Sequence, residues 1–151
     1  MTEEEEIKIG EMEITNQKKI LVARALGSCV AVAIYDPENE VGGMAHILLG
    51  KGNKKRKGKT ALYADKAINR MVKKIQEAGG RRKNLEAKIA GGASMFSSQS
   101  KGDIGDDNIE AVLKELKDRN IPITGKDIGG THARNVRFKV GSMSMRVEVK
   151  V

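Results

Sequence analysis

The chain has 151 residues, a formal net charge of +8, 32% charged residues, 3% aromatics and no tryptophan. That length holds one domain over residues 1–151 and excludes two ordinary ones, while a single cysteine excludes an internal disulfide and a zinc knuckle. No apolar run approaches the roughly 20 residues that span a bilayer, and the acidic start Met1–Glu6 shows no secretory signal, so a cytoplasmic protein without membrane insertion is expected.

In chain order, residues 7–14 (Ile7, Ile9, Met12, Ile14) and 19–25 read as early strands around a polar turn at Thr15-Asn16-Gln17. Cys29–Tyr35 reads as a buried strand, Asp36-Pro37-Glu38-Asn39-Glu40 as a turn, and Val41–Leu49 as its antiparallel return. The basic loop Gly50–Lys59 follows, then a helix from a Thr60 cap to about Ala78, with Gly79-Gly80 as its stop. Leu85–Ala90 predicts a strand and Asp107–Arg119 a second helix, whose Asp106 and Asp107 complement the N-terminal dipole. Ile123–Ile128 returns to strand, and the alternation Val136, Phe138, Val140 then Met143, Met145, Val147 predicts a hairpin with a two-residue Gly141-Ser142 turn. The expected architecture is α/β (α+β): a layered, mostly antiparallel sheet carrying two main helices.

The chemistry centres on Cys29, in Leu26-Gly27-Ser28-Cys29-Val30, and on His46, in Gly43-Met44-Ala45-His46. Both lie far from the hairpin turn, so the hairpin brings His46 back toward the Cys29 end. A thiol with a pKa of about 8.5 needs a nearby base to act at neutral pH, and His46 can supply one as a thiolate–imidazolium pair. Gly27 and Ser28 let the backbone approach closely and aim amide N–H groups at a reacting carbonyl oxygen. The plain alternatives are a small core cysteine and a hydrogen-bonded interior histidine. His132, in Gly129-Gly130-Thr131-His132, is the rival base and is expected to be exposed.

One cysteine and two histidines cannot complete a zinc site without carboxylates, and neither HExxH nor CxxC is present, so no metal is expected. No phosphate-loop pattern occurs, and no cofactor is expected. The Lys51–Lys59 loop lacks interleaved aromatics, so nucleic acid is not an expected partner. The positive balance instead favours acidic partners by long-range steering, with a merely solvated surface as the plain alternative.

Taken together, Leu26-Gly27-Ser28-Cys29-Val30, Tyr35-Asp36-Pro37, Gly43-Met44-Ala45-His46, Gly91-Gly92-Ala93-Ser94-Met95-Phe96, Ile104-Gly105-Asp106-Asp107-Asn108 and Asp127-Ile128-Gly129-Gly130 resemble the CheD family of chemoreceptor glutamine deamidases. They stand in family order from about Ile9 to Val149. The resemblance implies a single CheD-like deamidase domain, a sandwich related to cytotoxic-necrotizing-factor-type deamidases, with Cys29 as nucleophile and His46 as base. It implies methyl-accepting chemotaxis receptors as substrate and the CheC phosphatase as a second partner; the positive surface fits such a substrate, and Lys51–Lys59 is the expected steering element. It also implies a threonine shortly before the Leu-Gly-Ser-Cys motif, where this chain has Ala23, Arg24 and Ala25. Either a backbone carbonyl orients His46 in its place or the enzyme is slower. Ala133-Arg134 is a second departure, standing where the family tends to have Gly-Arg. The expected activity is conversion of receptor glutamines to glutamate through a thioester, extending to receptor methylesterase; the alternative is a non-catalytic adaptor that binds receptors or CheC.

Overall fold

Seven consecutive buried residues, Val30–Asp36, mark a strand covered on both faces, and the other elements are arranged around it. The computed structural model describes residues 2–48, 63–94 and 104–150. The first strands are β1 (Glu3–Glu6), β2 (Met12–Thr15), β3 (Lys19–Leu26), β4 (Val30–Asp36) and β5 (Val41–Ile47). Helix α1 (Ala64–Glu77), a 3-10 turn at Arg82–Asn84 and β6 (Glu86–Gly91) follow. Helix α2 (Ile104–Asp118), β7 (Ile123–Ile128), β8 (Arg134–Lys139) and β9 (Ser144–Val149) complete the order. They form a four-stranded sheet, β1-β3-β8-β9, and a five-stranded sheet, β2-β5-β4-β6-β7. Only the β1–β3 and β6–β7 pairs are parallel, so the expected layered α+β sandwich of mostly antiparallel sheet is what the described residues build.

Side-chain alternation along β4 sorts two cores. Ala31, Ala33 and Tyr35, with Cys29, face the other sheet and meet Leu21, Ala23, Leu26, Val136 and Phe138. The alanines leave room for the aromatic pair Tyr35–Phe138, whose ring centroids are 5.6 Å apart. Val30, Val32 and Ile34 point the other way, against Ala67, Ile68, Met71 and Ile75 of α1 and Val112 and Leu116 of α2. Each large aliphatic buried there contributes roughly 1.5–3 kcal/mol, and that layer fixes α2 near the Cys29 end of β4.

Four sequence expectations differ from the structure. The acidic start forms strand β1, paired in parallel with β3 and tied by ion pairs from Lys19 to Glu5 and from Arg137 to Glu4. The early strand expected at 7–14 is broken: Ile7 bonds to Val22 in one sheet and Met12–Thr15 pairs with β5 in the other. Residues 7–11 are therefore a crossing between sheets, turned by Gly10 at φ 82°. Helix α2 is already formed at Ile104 rather than Asp107, with Gly105 inside its first turn because no side chain fits there. The last hairpin uses Val140–Met143 rather than a two-residue turn, because Val140 and Met143 are buried over the inter-sheet core and Val140 N–H donates to Lys19. The Lys51–Lys59 loop, the Thr60 cap, and Met95 and Phe96 lie outside the described residues.

Candidate active site

The β4–β5 hairpin sets the site by register. Asp36 pairs with Val41 at the turn, and Ala31 with His46 and Val30 with Ile47 at the open end. Cys29 is two residues before Ala31 and shares its inter-sheet face. Cys29 and His46 therefore lie diagonally across the open end of the hairpin, on one side of the sheet.

The His46 ring is 3% exposed, and its Nδ1 lies 3.0 Å from the Ile7 carbonyl oxygen. A carbonyl can only accept, so Nδ1 carries the proton and Nε2 of the neutral ring presents a lone pair. Nε2 is buried and has no hydrogen-bond partner among the described residues. Leaving such an atom unpaired costs about 1–3 kcal/mol. The crossing segment holds the geometry by main-chain bonds, Gly10 N–H to the His46 carbonyl at 2.9 Å and His46 N–H to the Glu11 carbonyl at 3.0 Å. Burial lowers the His46 pKa, and the Ile7 carbonyl with the Glu6 and Glu11 carboxylates only partly opposes it.

Of the two alternatives left by the absent threonine, a backbone carbonyl on His46 is present. Among the three candidate positions, Ala23 faces the inter-sheet core, while Arg24 and Ala25 are exposed. Ala25 sits in the left-handed region at φ 54°, in the bulged stretch between Ala23 and Leu26, with its N–H donated to Asn135 Oδ1 at 2.8 Å.

Cys29 is 7% exposed. Burial pushes its thiol up from the ordinary range, and its own backbone N–H, turned toward Sγ, works against that shift. Burial thus disfavours the charged form of both the thiol and the imidazole. The thiol is not bonded to Nε2 at rest, as is common before substrate arrives.

The turn before the thiol is held through three successive carbonyls. Gly27 accepts from Ala93 N–H at 2.9 Å, Ser28 from Asn108 Nδ2 at 2.9 Å, and Cys29 from Gly92 N–H at 2.8 Å. Gly91 makes this possible, because at φ 111° a Cβ there would lie 2.3 Å from the Cys29 carbonyl oxygen. His132 is exposed, beside Thr131, and outside this arrangement. Arg134 instead braces the neighbouring loop, donating to the carbonyls of Gly129 and His132 and pairing with Asp127. Among the described residues no cluster of three or more His, Cys, Asp or Glu could hold a metal ion, and no helix is long and apolar enough to cross a membrane.

Sequence reasoning missed Ile7 and Asn108. Any residue offers the carbonyl that Ile7 contributes, so no signal marks it. Asn108 had one: it is the polar member of the buried stripe Gly105, Asn108, Ala111, Val112 and Leu116.

The family described as CheD chemotactic sensory transduction matches residues 48–150. A probable chemoreceptor glutamine deamidase CheD of Desulfitobacterium hafniense is 39% identical over 93% of this chain and 90% of the relative. The chemoreceptor glutamine deamidases CheD of Thermotoga maritima and Halalkalibacterium halodurans are 43% and 40% identical, covering 89% and 87% of this chain and 84% and 86% of the relatives. Among solved structures, the Bacillus licheniformis hypothetical protein YfiH overlays at a TM-score of 0.41 and 14% identity, over 75% of this chain and 49% of that one. The relatives span nearly the whole length, and the chain belongs to the CheD family.

Proposed function

We propose that this protein is a single-domain glutamine deamidase acting on chemotaxis receptors, with Cys29 as nucleophile and His46 as its base. The observation that supports the reading is the unpaired Nε2 of a buried histidine, held in one tautomer by the Ile7 carbonyl, at the same open end of the hairpin as the chain's single thiol. Most buried side-chain polar atoms are hydrogen-bonded, so an open ring nitrogen on a buried histidine is a departure that a role in proton transfer accounts for.

In the first half-reaction Nε2 takes the Sγ proton as sulfur attacks the side-chain amide carbon of a glutamine. The C–N bond then breaks as the imidazolium returns that proton to nitrogen, releasing ammonia and leaving a thioester. Water attacks the thioester carbonyl, Nε2 takes its proton, and cleavage of the C–S bond returns the proton to sulfur. Glutamine and water become glutamate and ammonia. Backbone N–H groups at Gly27-Ser28-Cys29 stabilise the oxyanion, each donor of that kind being worth about 3 kcal/mol. Burial that disfavours both charged forms suits this cycle, because charge separates as the C–S bond forms. The same machinery accepts a glutamyl methyl ester, with methanol leaving in place of ammonia. CheC is the regulatory partner in this reading, and its binding should compete with receptor fragments.

The test is mass spectrometry of cytoplasmic receptor fragments after incubation with wild type and Cys29→Ala. Each converted glutamine gains about one dalton in the wild-type arm and none in the mutant. Fragments that bind but stay unmodified in both arms would replace the enzyme with the adaptor.

A further inference from the structure

Asn108 is 1% exposed on the buried stripe of α2, and its Nδ2 reaches the Ser28 carbonyl oxygen at 2.9 Å, across 80 residues of chain. The first turn of α2 makes this contact possible. A Cβ on Gly105 would lie 2.5 Å from the Ala93 carbonyl oxygen and 2.7 Å from that of Gly92, so helix and loop touch backbone to backbone. One turn later, Asn108 is delivered to the nucleophile turn. The carbonyls on either side, Gly27 and Cys29, are held by main-chain N–H groups that almost any residue supplies. The Ser28 carbonyl alone of the three is held by a side chain.

A peptide unit is planar, and no cis bond occurs among the described residues. The Ser28 C=O and the Cys29 N–H therefore point in opposite directions. Helix α2 packs on one face of the five-stranded sheet, and the Cys29 side chain faces the other sheet. With its carbonyl turned to Asn108, the Ser28–Cys29 unit must aim its N–H away from the helix, toward the thiol's side.

We propose that Asn108 is a positioning residue: by holding the Ser28 carbonyl it sets the Ser28–Cys29 peptide plane so that the Cys29 N–H faces the oxyanion formed at the thiol. This rests on the reading of Cys29 as nucleophile. Without the carboxamide the plane can rotate, and the donor loses its aim while the sulfur stays in place.

The experiment compares two reagents on Cys29. p-Nitrophenyl acetate acylates the thiol through an oxyanion, whereas iodoacetamide alkylates it at a saturated carbon without one. The ratio of the two rates cancels differences in thiolate fraction and access. In Asn108→Ala the ratio falls about tenfold or more, the scale of weakening one oxyanion donor, and with receptor fragments kcat falls while KM stays within about twofold. Asn108→Asp keeps the shape but cannot donate while ionised, so its ratio is low at neutral pH and recovers toward acid as the carboxyl gains a proton. If Asn108→Ala does not fold, the aspartate variant decides: a recovering ratio supports the proposal and a flat one overturns it. A folded alanine variant with an unchanged ratio, or with both rates reduced in parallel, also overturns it. Wild type that leaves receptor glutamines untouched would instead defeat the deamidase reading, and the reagent ratio would still decide the role of Asn108.

Discussion

The two ends of the β4–β5 hairpin are built by opposite rules. At the turn, Asp36 is fully buried, and its carboxylate accepts from Glu38 N–H, Asn39 N–H, Asn39 Nδ2, Arg81 N–H and Asn84 Nδ2. Burial alone would push its pKa up, but the donors from Asn39, Arg81 and Asn84 together outweigh it and hold the carboxyl below the usual range. At the open end, His46 is almost as deeply buried yet keeps one ring nitrogen unpaired, at the same end of the hairpin as a thiol whose pKa burial raises. A saturated buried group stabilises the fold; an unsatisfied one costs stability, and is worth keeping where a proton must move.

The largest effect should come from the open end. His46→Gln keeps a polar side chain without a base and should lower kcat on receptor fragments by about 10²–10⁴-fold, with the melting temperature nearly unchanged or raised. An activity loss of less than threefold would contradict the contrast. At the turn end, Asp36→Ala strands several donors and should cost about 3 kcal/mol in denaturant unfolding, while kcat of the folded protein stays within twofold. A loss of activity without a loss of stability would reverse the assignment.

The pH dependence of folding separates the ends again. The folded-state pKa of His46 is lowered, so the unfolded chain binds its proton first. Stability should therefore fall as pH drops below about 6.5, and His46→Gln should abolish that limb. Asp36 is lowered as well, but as an acid. Its contribution is intact above the unfolded value of about 3.9 and is lost only as pH falls through the lower folded value. Asp36→Asn should flatten that more acidic limb and leave the other in place. The smallest effect lies just upstream of the nucleophile turn, where Ala25 has φ 54°. Ala25→Gly should relieve the left-handed strain and raise stability by less than about 1 kcal/mol, read from the denaturant midpoint.

The hairpin was legible because turn residues at 36–40 separate two apolar runs, and position along it predicted that Cys29 and His46 would share its open end. Strand β1 was not, because Glu3–Glu6 has no apolar alternation and is held by pairing with β3 and by cations on other strands. The role of Ile7 was invisible in kind, since its side chain is irrelevant to the bond that it makes. Asn108 stands in the Ile104–Asn108 motif, which does not by itself assign it a role, although a polar residue in a buried helical stripe is a readable anomaly. Desolvation at the site was not legible either, because spacing reports proximity, whereas burial disfavours the charged form of both the thiol and the imidazole.

The most direct measurement is the rate of Cys29 alkylation by iodoacetamide at neutral pH in wild type and His46→Gln. If Nε2 accepts the thiol proton, wild type should react at least about tenfold faster, with the gap closing at high pH, where the thiol ionises unaided. Equal rates at neutral pH would show that the ring nitrogen and the sulfur do not act together, and the proposed chemistry would fail.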